Sequence, residues 1–191
     1  MALAPILIIG TFITDHSSVI LPSVSAYYYT GMRDELVGII CGIAFFLSCY
    51  HGLWWVDSLL SKVAATAAFG IAFFPTSNTN DKTDMLSILH YVSAGIFFAV
   101  LAVMSLFLFT RSNPSRTMTR QKKKRNTIYR VCGILIILAA IAIPVCQREG
   151  IREQIAFLKP TLILEIIALE AFGFSWLVKG EFILKDKKHA S

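Results

Sequence analysis

Ionisable side chains set inside long apolar runs have the most to explain, because each costs roughly 2.5–3.5 kcal/mol to place in hydrocarbon. Asp15, His16, His90, Glu165 and Glu170 are all placed this way. His90 falls about one helical turn inside the fourth apolar run, and Glu165 about one and a half turns inside the sixth. Asp15 and His16 reach the same level from the first run. Glu170 lies deeper and about 140° round the helix from Glu165, facing a different neighbour. Over this level runs a polar, aromatic stretch from Pro22 to Glu35, which offers Ser25, Tyr27, Tyr28, Tyr29, Arg33 and Asp34 as ligand-binding groups.

Four kinds of chemistry suit these residue types. A buried polar network, with His90 and Glu165 hydrogen-bonded to each other, would fix helix register. A general base, His90, oriented by Glu165 and assisted by Ser25 or a tyrosine, would move a proton in catalysis. Zinc could be held by His16, His90 and Glu165, with Asp15 in reserve, although no HxxxH or HExxH spacing is present. An intramembrane Asp/His/Glu set also suits a proton relay for transport. Arg33 brings a planar fork that holds a phosphate or carboxylate by two hydrogen bonds. No nucleotide loop, G-x-S-x-G elbow or haem pair is present, and the isolated histidines are weak cofactor signals, so the cofactor stays unknown.

These residues need helices to hold them, and the composition says of what kind. Of 191 residues 55% are hydrophobic and 16% charged, with mean hydropathy +0.65. A soluble domain carries about 25% charged residues, so the chain reads as a multi-pass membrane protein. Its net charge of +6 is concentrated in two short blocks, which suits membrane loops and gives no reason to expect nucleic acid. Cys41, Cys49, Cys132 and Cys146 lie in or beside apolar runs without a CxxC, and read as small buried hydrophobes.

A crossing takes about 20 apolar residues, at about 1.5 Å each over roughly 30 Å. Six segments qualify: 2–22, 36–54, 58–75, 87–109, 127–146 and 160–178. The expected fold is therefore an all-α transmembrane bundle of six helices in a single domain, residues 1–191. Arg111, Arg116, Arg120, Lys122, Lys123, Lys124 and Arg125 crowd one loop, and Lys179, Lys185, Lys187 and Lys188 the tail. The positive-inside rule puts both on the cytoplasmic side, together with both termini. Pro22 is expected to kink or end the first span, and Gly31 to supply a turn at positive φ. The alanines of the third span favour close packing. Residues 148–159 suggest a short amphipathic surface helix. Ser48, His51 and Asp57 read as a solvated polar group at the inner interface, and Asn113-Pro114 as a turn.

Four stretches carry a resemblance: Ser23-Val24-Ser25-Ala26-Tyr27-Tyr28-Tyr29-Thr30-Gly31-Met32-Arg33-Asp34, Phe69-Gly70-Ile71-Ala72-Phe73-Phe74-Pro75-Thr76, Lys124-Arg125-Asn126-Thr127-Ile128-Tyr129-Arg130-Val131-Cys132-Gly133 and Phe172-Gly173-Phe174-Ser175-Trp176-Leu177-Val178-Lys179-Gly180-Glu181. The chain resembles a family of uncharacterised bacterial six-span integral membrane proteins, which implies a bacterial inner (plasma) membrane and names no function. Asp15 and His16 fall outside the matched stretches. A fainter, topological similarity is to eukaryotic DRAM-like six-span proteins, one branch of which is linked to remodelling lipid anchors; Pro22-Ser23, His90 and Glu165 fill the corresponding places. The expected function is an outward-facing polar pocket that binds or modifies a lipid or lipid-linked head group. The alternatives are a small proton-coupled transporter or channel, and a non-catalytic subunit of a membrane complex. The expected partner is membrane lipid, with a homo-oligomer or another membrane subunit also open.

Overall fold

The computed structural model describes residues 2–16, 18–52, 54–77, 84–112 and 119–185. Among these every regular element is helical: α1 (Leu3–Thr14), α2 (Arg33–Ser48), α3 (Trp55–Phe73), α4 (Met85–Val103), α5 (Arg120–Cys146), α6 (Ile151–Ile155) and α7 (Pro160–Lys179). A π-helical turn, Met104–Leu108, prolongs α4. Four helices are long and apolar enough to cross a membrane: α3, α4 with its π turn, α5 and α7. The expected Asn113-Pro114 turn lies outside the described residues.

The first two apolar runs form shorter helices than the sequence suggests. Twelve residues give α1 a rise of about 18 Å, and sixteen give α2 about 24 Å. Pro22 does not end α1, which stops eight residues earlier at Thr14. Polar side chains divert the backbone there. The Thr14 hydroxyl bonds back to the Gly10 carbonyl, and the Asp15 carboxylate takes the Gly31 N–H with both oxygens, at 3.1 and 3.2 Å. His16 then turns into the left-handed region at φ 49°. Gly31 makes its turn without positive φ, contrary to expectation. What requires glycine is proximity, since a Cβ there would lie 2.4 Å from Asp15 Oδ1.

Successive long helices pack side by side, α2 on α3, α3 on α4, α4 on α5 and α5 on α7. Ala64, Ala65, Ala67, Ala68 and Ala72 are buried in α3, as its small-residue face implies. A Cβ on Gly70 would lie 2.3 Å from Ser93 Oγ of α4. Helix α1 lies across α2 and the start of α7. Leu3 and Leu7 join Met32, Leu36 and Leu162 in one buried cluster with Val24 and Tyr27 of the intervening turn. The opposite face of α1, with Ile9, Phe12 and Ile13, stays exposed. The surface helix expected over 148–159 is present as α6 and the 3-10 turn Ala156–Leu158.

The two ends of the bundle differ in character. At the basic end Asp57 is buried, accepts from the Trp54 N–H at 3.3 Å and pairs with Arg111 at 3.3 Å. It is therefore a helix cap and not a solvated group. Arg125 is also buried and donates to the Leu184 carbonyl at 2.8 Å. Helix α5 carries the basic block as its own first turns, starting at a Thr119 cap that accepts from the Lys122 N–H at 3.0 Å. Tyr50, Phe109, Phe172 and Trp176 fill the bundle above this end with edge-on and stacked rings, and the exposed Phe46 meets Trp176 edge-on. Cys132 is buried as expected, but Cys49 is exposed.

Candidate functional site

The site lies at the other end, the turn end. His90 and Glu165 are each five residues past the first residue of their helix, α4 and α7, and so lie at a matching depth of about 7.5 Å. Between them runs the chain leaving Pro22, which folds into a 3-10 turn, Ser25–Tyr29. The Pro22 carbonyl accepts from the Leu162 N–H at 2.9 Å and anchors this chain to α7. The Ser23 hydroxyl accepts the Ala26 N–H at 3.1 Å and so caps the turn.

His90 and Glu165 grip adjacent residues of that chain and make no bond to each other among the described contacts. Glu165 Oε2 accepts from the Val24 N–H at 2.6 Å. His90 Nε2 lies 3.0 Å from Ser25 Oγ, and its Nδ1 lies 2.7 Å from the Phe74 carbonyl oxygen. A carbonyl only accepts, so the proton of the neutral imidazole sits on Nδ1. Nε2 then presents its lone pair to the Ser25 hydroxyl, which donates. The direct His90–Glu165 hydrogen bond expected from the sequence is thus replaced by two bonds through the Val24–Ser25 segment.

All four groups border a cavity of about 50 Å³. Val24, Ser25, His90 and Glu165 line its upper part, and Leu3, Ile43, Ala94, Phe97, Phe98 and Leu169 its apolar remainder. One water needs about 10–15 Å³ of such space, so the volume holds about three or four waters or the end of an apolar chain. His90 is buried and Glu165 half-buried.

The three tyrosines are framework around this pocket. Tyr27 is 1% exposed, and its hydroxyl oxygen accepts from the Leu21 N–H at 3.3 Å. Tyr28 takes Arg33 by both faces of its chemistry. The guanidinium lies 4.4 Å from the ring centre, and Nη2 donates to the phenol oxygen at 2.7 Å. Tyr29 donates to the Thr76 carbonyl and ties the turn to the segment after α3. Burial, followed by the neighbouring Tyr28 and Asp84, holds the Tyr29 phenol above its ordinary 10.0, so at neutral pH it remains a donor.

The other sequence candidates stand apart. Arg33 remains on Tyr28 and does not line the cavity. Asp34 is exposed in the first turn of α2, where an acid suits the helix dipole. Asp15 serves Gly31, His16 is exposed, and Glu170 does not line the cavity. No three His, Cys, Asp or Glu side chains gather for a metal ion among the described residues, so the His16, His90 and Glu165 zinc set is not assembled. Sequence reasoning missed the Phe74 carbonyl and the Val24 amide. The one signal for Phe74 is Pro75, which disfavours helix at the preceding residue and frees its carbonyl.

Comparison with protein-family models, curated proteins and solved structures gives no match. The site therefore stands on the geometry of this chain alone.

Proposed function

We propose that this chain is a six-crossing protein of a bacterial inner membrane that holds a lipid, or a lipid-linked molecule, by its acyl end in the turn-end cavity. One observation carries the reading: an apolar cavity between the helices is capped by convergent polar groups, Ser25, His90 and Glu165. Such a lining matches a molecule with an apolar tail and a polar junction. Helices α1 and α2 are the remaining two of the six, their rises of about 18 and 24 Å extended by flanking chain and local thinning of the bilayer. The basic residues of the opposite end support a cytoplasmic side for it by the positive-inside rule, and the cavity on this reading faces outward.

The transport alternative requires a path from Glu165 through Glu170 to His51. Neither Glu170 nor His51 lines the cavity, and His51 bonds to the Cys49 carbonyl at the basic end. The subunit alternative has a specific feature in its favour, an open groove of about 540 Å³ beside Gly70, Ala67 and Ser93 between α3 and α4. A groove with small residues at its floor and Phe69, Phe73 and Ile96 along it suits a helix of a neighbouring protein.

Filling the cavity tests the preferred reading. Ala94 borders it, and Ala94→Phe places a ring in the space. Native mass spectrometry of the protein in mild detergent is expected to show co-purifying lipid on the wild type and at least a several-fold loss on Ala94→Phe. Equal retention would move the lipid elsewhere and favour the α3–α4 groove.

A further inference from the structure

We infer that Ser25 and His90 form a nucleophile and general-base pair that acts on the carboxylic ester of an acyl chain lodged in the cavity, an inference that rests on the lipid-site reading above. Three relations define such a pair, and all three are present. The nucleophile's hydroxyl meets the base at 3.0 Å. The base is held by a third group, the Phe74 carbonyl at 2.7 Å, which keeps the Nδ1–H tautomer and leaves Nε2 free to take a proton. Open space lies beside the nucleophile, because Ser25 borders the cavity. Ser23, two residues earlier, has its hydroxyl engaged in capping the turn, so the two serines are not equivalent.

Glu165 is a positioning residue here. It grips the Val24 N–H at 2.6 Å and holds the residue next to the nucleophile. Lining chemistry selects the substrate class. Among the described residues no lysine or arginine borders the cavity, and the nearby Glu165 carboxylate disfavours a phosphate. An uncharged ester carbonyl at Ser25, with its alkyl chain running down toward Ala94, Phe97 and Leu169, meets matching groups along its length.

In the first step Ser25 Oγ bonds to the ester carbonyl carbon while its proton passes to His90 Nε2. The bond from that carbon to the alkoxy oxygen then breaks, and the leaving alkoxide takes the proton from Nε2 and departs as the alcohol. In the second step water gives a proton to Nε2 as its oxygen attacks the acyl carbon. Ser25 Oγ leaves and recovers the proton, and the acyl group departs as the carboxylic acid. A second alcohol in place of water would give a new ester by the same proton movements.

The test uses a long-chain alkyl fluorophosphonate, which a base-activated serine captures at phosphorus with loss of fluoride. Full-length protein in mild detergent is treated with the probe, and the adduct is mapped by mass spectrometry; the same preparation is scored for bound lipid. The expected result is an adduct on Ser25 and not on Ser23. It should be absent in Ser25→Ala and formed about 100-fold more slowly in His90→Gln, in line with the usual worth of a general base. The adduct on Ser25 and not Ser23 is mapped on the wild type and does not depend on the folding of either variant, and the rate in His90→Gln is compared only in protein whose bound lipid shows the site intact. Wild type that retains lipid but leaves Ser25 unmodified would overturn the pair and leave the binding site standing. Modification at the same rate in wild type and His90→Gln would also overturn it. Wild type that neither retains lipid nor reacts would overturn both readings.

Discussion

His90 and Glu165 act through a shared two-residue segment, and this sets how their loss should be felt. Removing the Glu165 carboxylate leaves the Val24 N–H without its acceptor. Glu165→Leu is therefore expected to cost on the order of 1–3 kcal/mol, the usual penalty for a polar group left unsatisfied in a buried place. Glu165→Gln keeps an oxygen that can accept and should cost less. Thermal unfolding in detergent measures both, and equal losses would deny that the Val24 bond matters. That His90 and Glu165 would need polar partners at one level was legible at this scale, since an imidazole and a carboxylate inside apolar runs are conspicuous. Their partners were not. The Phe74 carbonyl and the Val24 amide belong to the backbone, which every residue shares, so only folding reveals which of them faces a side chain. The engagement of Arg33 was hidden for a related reason. Its fork suits a phosphate, but Tyr28, five residues earlier, offers both a ring face and an acceptor.

At the scale of elements, hydropathy located the four long helices because their apolar runs are nearly uninterrupted. It overstated α1, where Thr14 and Asp15 satisfy local backbone groups and end the helix inside a run that still looks apolar on average. It understated α5 at the basic end, where lysines and arginines, good helix formers, continue the helix beyond the hydrocarbon. The orientation of the bundle has its own test. Glu149 follows α5 at the turn end and Ser112 follows α4 at the basic end, and both are exposed. In protein with its four cysteines replaced, Glu149→Cys should react with a membrane-impermeant maleimide on intact cells. Ser112→Cys should react only after permeabilisation. The reverse pattern would turn the cavity toward the cytoplasm.

The whole molecule is a run of packed helices, α2 to α5 and then α7, with α1 laid across the flank between α2 and α7. Aromatic side chains fill the basic half, while in the turn half the side chains leave a cavity roofed by Val24 and Ser25. That contrast within one bundle is what makes the cavity meaningful, because protein interiors are ordinarily packed as tightly as organic crystals. An acyl chain that enters would pass α1, whose Leu3 forms part of the wall. The most direct measurement is photo-crosslinking of the purified protein in bilayers containing a phospholipid with a diazirine at the end of one acyl chain. Adducts on cavity residues such as Phe97, Phe98 and Leu169, diminished by Ala94→Phe, are the expected result. Adducts confined to outward-facing residues such as Phe12, Ile13, Phe107 and Val131 would contradict an acyl site inside the bundle.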